Sequence, residues 1–262
     1  MGIEHCASKV DEVARAWQAE RDAIGAGVDV RSLLANVARA HQGFAAGSKN
    51  GLLEVTLPNQ AALREAAGGR ERFSACFELP AGDGAIYLHR THPLVEGLAG
   101  YVMDSALDPL ADGVARRCGA IRTRAVQRTT TLLLLRLRFH ILTARGAEET
   151  ALLAETCRLA GFTGSPEAPQ WLPGAEVEQL LQTEPDANLL PGQASQFIGR
   201  VLEGMAHLEA PLRDLAERTG QRLLEERRRM RAAAHQTGVR HDVQPQLPVD
   251  ALGLYVLLPA AV

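Results

Sequence analysis

The chain has 262 residues and a formal net charge of −3, with 46% hydrophobic and 23% charged residues. This composition is typical of a globular protein with a sizeable core, in one large domain or two small ones. It argues against a membrane protein, because no apolar run approaches the ~20 residues that cross a bilayer, and the first residues lack the apolar core of a secretory signal. We therefore expect a cytoplasmic protein.

The first part of the chain is predicted to be helical. Over residues 4–46, apolar side chains recur at helical spacing around Val10–Trp17 and again around Val30–Ala38, with Gly25 and Gly27 between them. The pattern predicts a helical extension over residues 1–48 that packs on itself or on something outside the chain.

Residues 49–262 are predicted to form a second domain that mixes strands and helices. The predicted strands cover 51–57, 72–79 and 85–89, and the predicted helices cover 60–67 and 94–107. Pro93 fits the first turn of the second helix, where its missing N–H costs nothing. His89, His92 and Glu96 lie near that helix start, but His92 is expected to cap or pack there, and we predict no metal site.

The next segment is the most informative one. Residues 128–143 (RTTTLLLLRLRFHILT) place apolar side chains at every odd position from 133 to 141, with Arg136, Arg138 and His140 between them. Because side chains alternate faces along a strand, this predicts a strand with one buried and one partly basic face. Residues 120–126 repeat the pattern. Residues 152–163 fit a helix or a strand, and we predict a strand over 156–162 that pairs with 132–142.

A long helical tract precedes the last strand. Over residues 194–235, apolar side chains from Ile198 to Leu215 recur at spacings of three and four, as in a coiled coil. Pro211 predicts a kink or break inside it. Residues 252–258 are entirely apolar and predict a buried central strand. Together these elements predict the α+β class, with an antiparallel or mixed sheet over about 51–163 and 251–259 and a helical insertion over about 175–237.

Arginine is concentrated in the predicted sheet. Between Asp112 and Glu148 there is no acidic residue but there are eight arginines, which indicates a surface for a polyanion. The candidate nucleic-acid-binding residues are Arg116, Arg117, Arg122, Arg124, Arg128, Arg136, Arg138 and Arg145, with Arg227, Arg228 and Arg231 on the helical tract. The alternative is a sheet face whose arginines pair with carboxylates from distant segments. Glu225 and Glu226 offer the same alternative on the helix.

The motifs of common enzymes are absent from the sequence. There is no phosphate-binding G-x-x-x-x-G-K-[ST] loop, no G-x-S-x-G, no H-E-x-x-H and no G-x-G-x-x-G. The four cysteines are far apart and show no zinc spacing. We predict no cofactor, and we expect the chain not to be an enzyme on its own.

Five segments in order resemble a known family. They are THPLV from Thr91, the strand Thr129–Arg138, PDANL from Pro185, the helix Arg222–Arg231 and the ending QPQLPVDALGLYVLLP from Gln244. This order is similar to the region that follows the motor in bacterial Swi/Snf-type DEAD/DEAH helicases, the RapA-like translocase group. The resemblance covers about residues 85–262.

The resemblance implies a partner and a function. In that family, two RecA-like lobes bind nucleotide and Mg²⁺ and drive translocation on double-stranded nucleic acid, and the C-terminal region packs beside them. Neither lobe is present here, so no ATP-binding residue is carried over. We therefore expect a non-catalytic accessory domain that binds or positions double-stranded DNA or another duplex and contacts a helicase motor. The alternative is a protein-interaction subunit of a multi-protein complex, such as an anti-phage assembly, without direct nucleic-acid contact.

Overall fold

The computed structural model describes residues 27–48, 50–82, 84–108, 115–145, 148–233 and 239–260. Its contacts divide the chain into two compact units, Met1–Arg116 and Arg117–Val262. Each unit combines helices with a sheet, so the predicted α+β class is confirmed. The predicted boundary between residues 48 and 49 does not coincide with this division. None of the helices in the described part of the chain has the length and apolarity needed to span a membrane.

In its described residues the first unit contains a four-stranded sheet and three helices. The helices are α1 (Gly27–Ala40), α2 (Ala61–Ala66) and α3 (Pro93–Leu107), and the strands are β1 (Phe44–Gly47), β2 (Leu53–Thr56), β3 (Arg72–Cys76) and β4 (Ala85–Tyr87). The strand order is β1-β2-β3-β4, with β3 and β4 parallel and the other pairs antiparallel. The strands and helices predicted between residues 51 and 107 are present, with ends that differ from the predicted ones by at most three residues.

Helix α1 is part of this unit's core rather than an extension. Val30, Leu34 and Val37 are buried in one cluster with Leu53 of β2 and Leu98 of α3. The helix predicted to reach residue 46 ends at Ala40, because the chain reverses there. Gln42 has a φ of 62°, and a Cβ on Gly43 would meet the carbonyl oxygen of Thr56 at 2.5 Å. Predictions for residues 1–26 lie outside the described residues.

The second unit is built on a six-stranded sheet. Its strands are β5 (Cys118–Thr123), β6 (Thr130–Arg145), β7 (Glu148–Thr163), β8 (Gln170–Trp171), β9 (Ala187–Asn188) and β10 (Val239–Pro259), and its helices are α4 (Gly174–Leu181), α5 (Pro191–Glu203) and α6 (Glu209–Ala233). The strand order is β8-β7-β6-β10-β5-β9. Among these described strands, β5 and β10 alone pair in parallel. The pairing of residues 156–162 with 131–137 confirms the predicted strand partner.

One face of this sheet is covered by α5 and α6. Leu133 and Leu135 of β6 are buried with Leu254 and Val256 of β10 and with Leu212 of α6. Phe139 continues the same buried row, against Ala216 of α6. On the other face, α4 covers only one end of the sheet, where Val177 and Leu180 pack on Leu132 and Leu257. We call the rest of that second face, from Leu134 to Leu142 on β6, the open face.

The helical tract differs from the predicted coiled coil. Its apolar stripe, including Val201, Leu208 and Leu212, packs on the sheet of the same chain. The break lies at a 3-10 turn over Gly204–Leu208 rather than at Pro211. Pro211 falls in the first turn of α6, where a proline removes no helical hydrogen bond.

The last strand is longer than predicted. The apolar run 252–258 is only the end of β10, which begins at Val239 and lies between β6 and β5. The predicted central position is correct. Residues 239–250 escaped the sequence analysis because they are polar and contain Pro245 and Pro248, which are typical of loops or edge strands. Two register shifts, between Gln246 and Asp250 and between Ala251 and Gly253, interrupt the pairing with β6.

Candidate nucleic-acid interface

Four of the candidate arginines lie at or in β6, along its whole length. Arg128 comes two residues before the strand, Arg136 and Arg138 lie in its middle, and Arg145 ends it. Sixteen residues of strand span about 50 Å. The candidate arginines therefore fall into separate groups, and each group has its own surroundings.

The middle group is paired with a carboxylate. Arg136 donates through Nε and Nη2 to Oδ2 of Asp250 at 3.0 and 2.9 Å. Arg138 Nη2 lies 3.1 Å from the same oxygen. All three side chains are partly buried, with exposed fractions of 37%, 26% and 29%. The distant carboxylate of the alternative interpretation is thus present, and it occupies both guanidinium groups.

Arg122 lies on the opposite face of the sheet from this pair. Ala120, two residues before Arg122 in β5, packs with Leu133 and Leu135 on the face that α5 and α6 cover. Because residues two apart on a strand share a face, Arg122 lies on that face too. Arg136 adjoins Leu135 and therefore points to the open face. Arg122 therefore does not share a face of the sheet with Arg136 and Arg138.

Two further arginines bind backbone carbonyl groups. Arg122 Nη1 donates to the carbonyl oxygen of Pro259 at 3.1 Å. Arg117 donates through Nε to the carbonyl of Leu252 at 2.6 Å and through Nη2 to that of Ala251 at 3.1 Å. Both contacts hold β10 against the segment that carries β5. The structure therefore supports a structural role for Arg117 and Arg122, because both stabilise the position of β10.

The turn between β5 and β6 presents the most exposed candidates. Arg124 has 74% of its side chain exposed and lies 3.8 Å from Asp186, whose carboxylate also accepts from the backbone N–H of Arg124 at 2.7 Å. Arg128 is exposed at the other end of the turn. An ion pair this exposed and this long contributes little energy, so a phosphate could compete for Arg124.

The remaining candidates lie elsewhere. Arg228 is exposed and Arg227 half-buried near the end of α6, where Arg229 pairs with Glu225 at 3.7 Å. The side chains of Arg145 and Arg231 lie outside the described ones, although their backbones belong to β6 and α6. Arg116 is exposed and is the last residue of the first unit.

The second unit has a cleft that no sequence pattern predicted. It has a volume of about 530 Å³ and lies where the irregular part of β10 passes the start of α6. Its lining residues are Met205, Ala206, Glu209, Leu212, Arg213, Leu247, Pro248 and Val249. No sequence signal marks it, because it arises from the register shift in β10.

His92 of the first unit has a structural role. His92 Nδ1 accepts a hydrogen bond from the N–H of Leu94 at 3.1 Å and so caps α3, as expected. Burial, followed by the nearby charges of His89 and Arg70, lowers the pKa of His92 from its ordinary value. Within the described ranges no group of three or more His, Cys, Asp or Glu side chains is placed to hold a metal ion.

A comparison with protein families gives a match over more than half of the chain. The model of a domain of unknown function, DUF8741, matches residues 106–262. The chain belongs to this family. The match takes in the whole second unit, so the six-stranded sheet, its helices and the arginine–aspartate contacts are the DUF8741 part of the chain. No curated protein matches the chain.

Proposed function

We propose that the chain is a non-catalytic accessory domain of an ATP-dependent helicase or translocase. In this proposal the DUF8741 unit packs on a motor of the RapA-like Swi/Snf type and positions double-stranded nucleic acid beside it. The cytoplasmic location expected from the sequence is part of the proposal.

The accessory-domain proposal rests mainly on one observation. Four of the five segments that resemble the post-motor region meet in the second unit. Two of them belong to β6 and β10, which pair along their length, a third leads into β9 beside β5, and the fourth lies in α6 on the sheet. Segments that are far apart in sequence thus belong to one module, as expected if they share a common origin.

For nucleic acid, the favoured contacts are Arg124 and Arg128, since these side chains are exposed and are not buried among carboxylates. Arg228 is a further exposed candidate on α6. Such contacts would hold phosphates without reading bases. The low aromatic content, 4%, favours a duplex over a single strand that is bound by stacking.

The test uses the full chain and a labelled DNA duplex in a salt series. The double variant Arg124→Glu/Arg128→Glu should bind more weakly, and its log–log salt slope should fall by roughly one unit for each phosphate that is no longer bound. The matched control is Arg213→Glu/Arg218→Glu, which makes the same change in charge at two exposed arginines on α6 outside the candidate set. In parallel, binding of the chain to a Swi/Snf-type motor truncated after its RecA-like lobes is measured by sedimentation.

A second candidate has its own support. The pairing of Arg136 and Arg138 with Asp250 favours a protein-interaction subunit, because it removes the two central arginines from phosphate binding. That role predicts a complex with the motor or another partner but no duplex binding even at about 50 mM salt, where non-specific phosphate contacts should persist. If neither DNA nor the motor binds, the translocase proposal is wrong.

A further inference from the structure

The outer edge of β7 is a long strand edge that is unpaired over most of its length. Strand β7 has 16 residues, whereas ordinary strands have about five or six. Its inner edge pairs with β6, but β8 meets its outer edge only at Phe162 and Thr163. The N–H of Leu172 extends that cover to the carbonyl of Gly161. From Glu149 to Ala160 no described strand pairs with the outer edge, a length of about 40 Å.

This edge carries three charged side chains, Glu149, Glu155 and Arg158, but neither a bulge nor a proline protects it. Proteins blunt sheet edges with bulges, prolines, charged side chains (lysine above all) or a covering loop, because unpaired N–H and C=O groups otherwise recruit another strand. The register between β6 and β7 runs without interruption from Thr130–Thr163 to Arg145–Glu148, so there is no bulge. The segment contains neither proline nor lysine. Its backbone is therefore a regular template for a further strand.

The side chains of the edge are also exposed. Leu152 and Leu153 point to opposite faces of the sheet, and they are 56% and 50% exposed. Two exposed leucines in the middle of a strand are unfavourable in water, because burying them would remove apolar surface from solvent. A strand added outside β7 would cover part of both.

Charge determines what kind of strand fits. Glu155 lies opposite Arg138 in the β6 register, but the guanidinium of Arg138 contacts Asp250 on the other side of β6. No ion pair joins Glu155 to another residue in the described part of the chain. The open-face side of the edge also carries Glu149 and no basic residue. A second copy of β7 would bring more glutamates to this edge, whereas a basic side chain would pair with Glu155.

We propose that the outer edge of β7 over Glu149–Ala160 is a β-augmentation site for an extended segment of a partner protein, with a basic residue opposite Glu155 and apolar residues opposite Leu153 and Cys157. Main-chain hydrogen bonds would supply affinity, and the alternate side chains would supply specificity. The inference does not depend on the translocase role, since it rests on the geometry of one strand.

The probe is an acetylated and amidated peptide, VEVTRTVIT, which is written to lie antiparallel to residues 159–151. Its arginine falls opposite Glu155, its glutamate opposite Arg158 and its valines opposite apolar or small side chains. Binding to the full chain is followed by fluorescence anisotropy. A second peptide, VEVTETVIT, places a glutamate opposite Glu155. Its affinity should be lower by a factor of about five or more, because like charges in facing positions repel.

Two controls separate strand addition from simple charge attraction. The chain with Glu155→Arg should reverse the preference and bind VEVTETVIT better. A version of VEVTRTVIT that is N-methylated at alternate residues keeps its charge but cannot complete the hydrogen bonds along one edge, and it should lose binding. Because this control leaves the protein unchanged, it remains decisive even if Glu155→Arg impairs folding.

The proposal is overturned by equal binding of the methylated and unmethylated peptides, or by no binding of either at millimolar concentration. It is also overturned if the chain forms a dimer that protects the amides of residues 149–160 from hydrogen exchange, because a second copy would then occupy the edge. These outcomes are independent of the DNA and motor assays, so the two proposals can fail separately.

Discussion

Arg136 and Asp250 face each other on neighbouring strands although 114 residues separate them in sequence. Two guanidinium nitrogens of Arg136 donate to one carboxylate oxygen, and the same carboxylate receives Arg138. The segment that has no acidic residue thus obtains its counter-charge from the last strand. Two of the eight arginines that look like a cationic surface in the sequence thus form an internal contact between β6 and β10.

The first prediction concerns this contact. Asp250→Asn should lower the free energy of unfolding by about 1–2 kcal/mol, because it leaves two half-buried guanidinium groups side by side without a carboxylate. The value is modest because all three side chains are partly exposed. Urea unfolding of the full chain measures it. Asp214→Asn, at an exposed position on α6, should change stability by less than about 0.5 kcal/mol. An equal effect of the two variants would mean that the contact contributes nothing specific.

The second prediction concerns the apolar stripe of the helical tract. Leu212→Ala should destabilise the second unit by about 2–4 kcal/mol, because Leu212 is 4% exposed and its removal leaves a cavity against the sheet. Leu202→Ala, at a position 51% exposed on α5, should have a small effect. Thermal unfolding compares the two variants. If Leu212→Ala left stability unchanged but abolished binding to a partner, the stripe would be a docking surface rather than core.

The third prediction concerns the packing of α2 against α3. A Cβ on Gly97 would collide with the carbonyl oxygen of Ala66, so Gly97→Ala should destabilise the first unit by about 1–3 kcal/mol. Gly100, one turn along the same helix, has open space around it. Gly100→Ala should therefore stabilise the unit by about 0.5–1 kcal/mol through helix propensity. Opposite signs in urea unfolding are expected, and the same sign for both variants would contradict the close approach of the two helices.

The fourth prediction concerns pH. The pKa of His92 is lowered in the folded chain, by burial first and then by the charges of His89 and Arg70, from an ordinary value of 6.5. Between the folded pKa and 6.5 the unfolded chain therefore binds more protons than the folded one, so stability is full above about pH 6.5 and falls as the pH drops below it. Protonation also removes the acceptor that caps α3.

His92→Asn tests this prediction, because asparagine keeps an N-cap acceptor but does not titrate. When the pH is lowered from 7.5 to 5.5, the unfolding free energy of the original chain should fall by more than that of the variant. A difference that stays constant over this interval would show that His92 does not link stability to pH.

Much of the second unit follows from local pattern. The alternation over residues 133–141 gives β6 and its buried face, and the apolar run 252–258 gives the end of β10 at the centre of the sheet. These signals are local. A strand with one buried face has apolar residues at alternate positions, and a fully buried strand has consecutive apolar residues, so a few neighbouring residues suffice to predict it. Likewise, Pro93 predicts the start of α3 and His92 its cap.

The candidate site could not be predicted in the same way. Continuing the register from the Arg138–Gln246 pair without a shift would place Pro248 opposite Arg136. The irregular stretch between Gln246 and Asp250 brings the carboxylate there instead. Such shifts depend on how three strands and a helix fit together, not on any local pattern. The face on which Arg122 lies also depends on tertiary packing, because only the burial of its neighbour Ala120 in the core identifies that face.

The position of β10 also has a consequence for how the chain is made. This strand is the last element in sequence, yet it separates β6 from β5, and it makes pairs up to Pro259. A ribosome must therefore synthesise residues 146–238 after β6 before β10 begins to pair with it. Until then β6 has only β7 beside it, and its leucine-rich face remains open to chaperones or to other nascent chains.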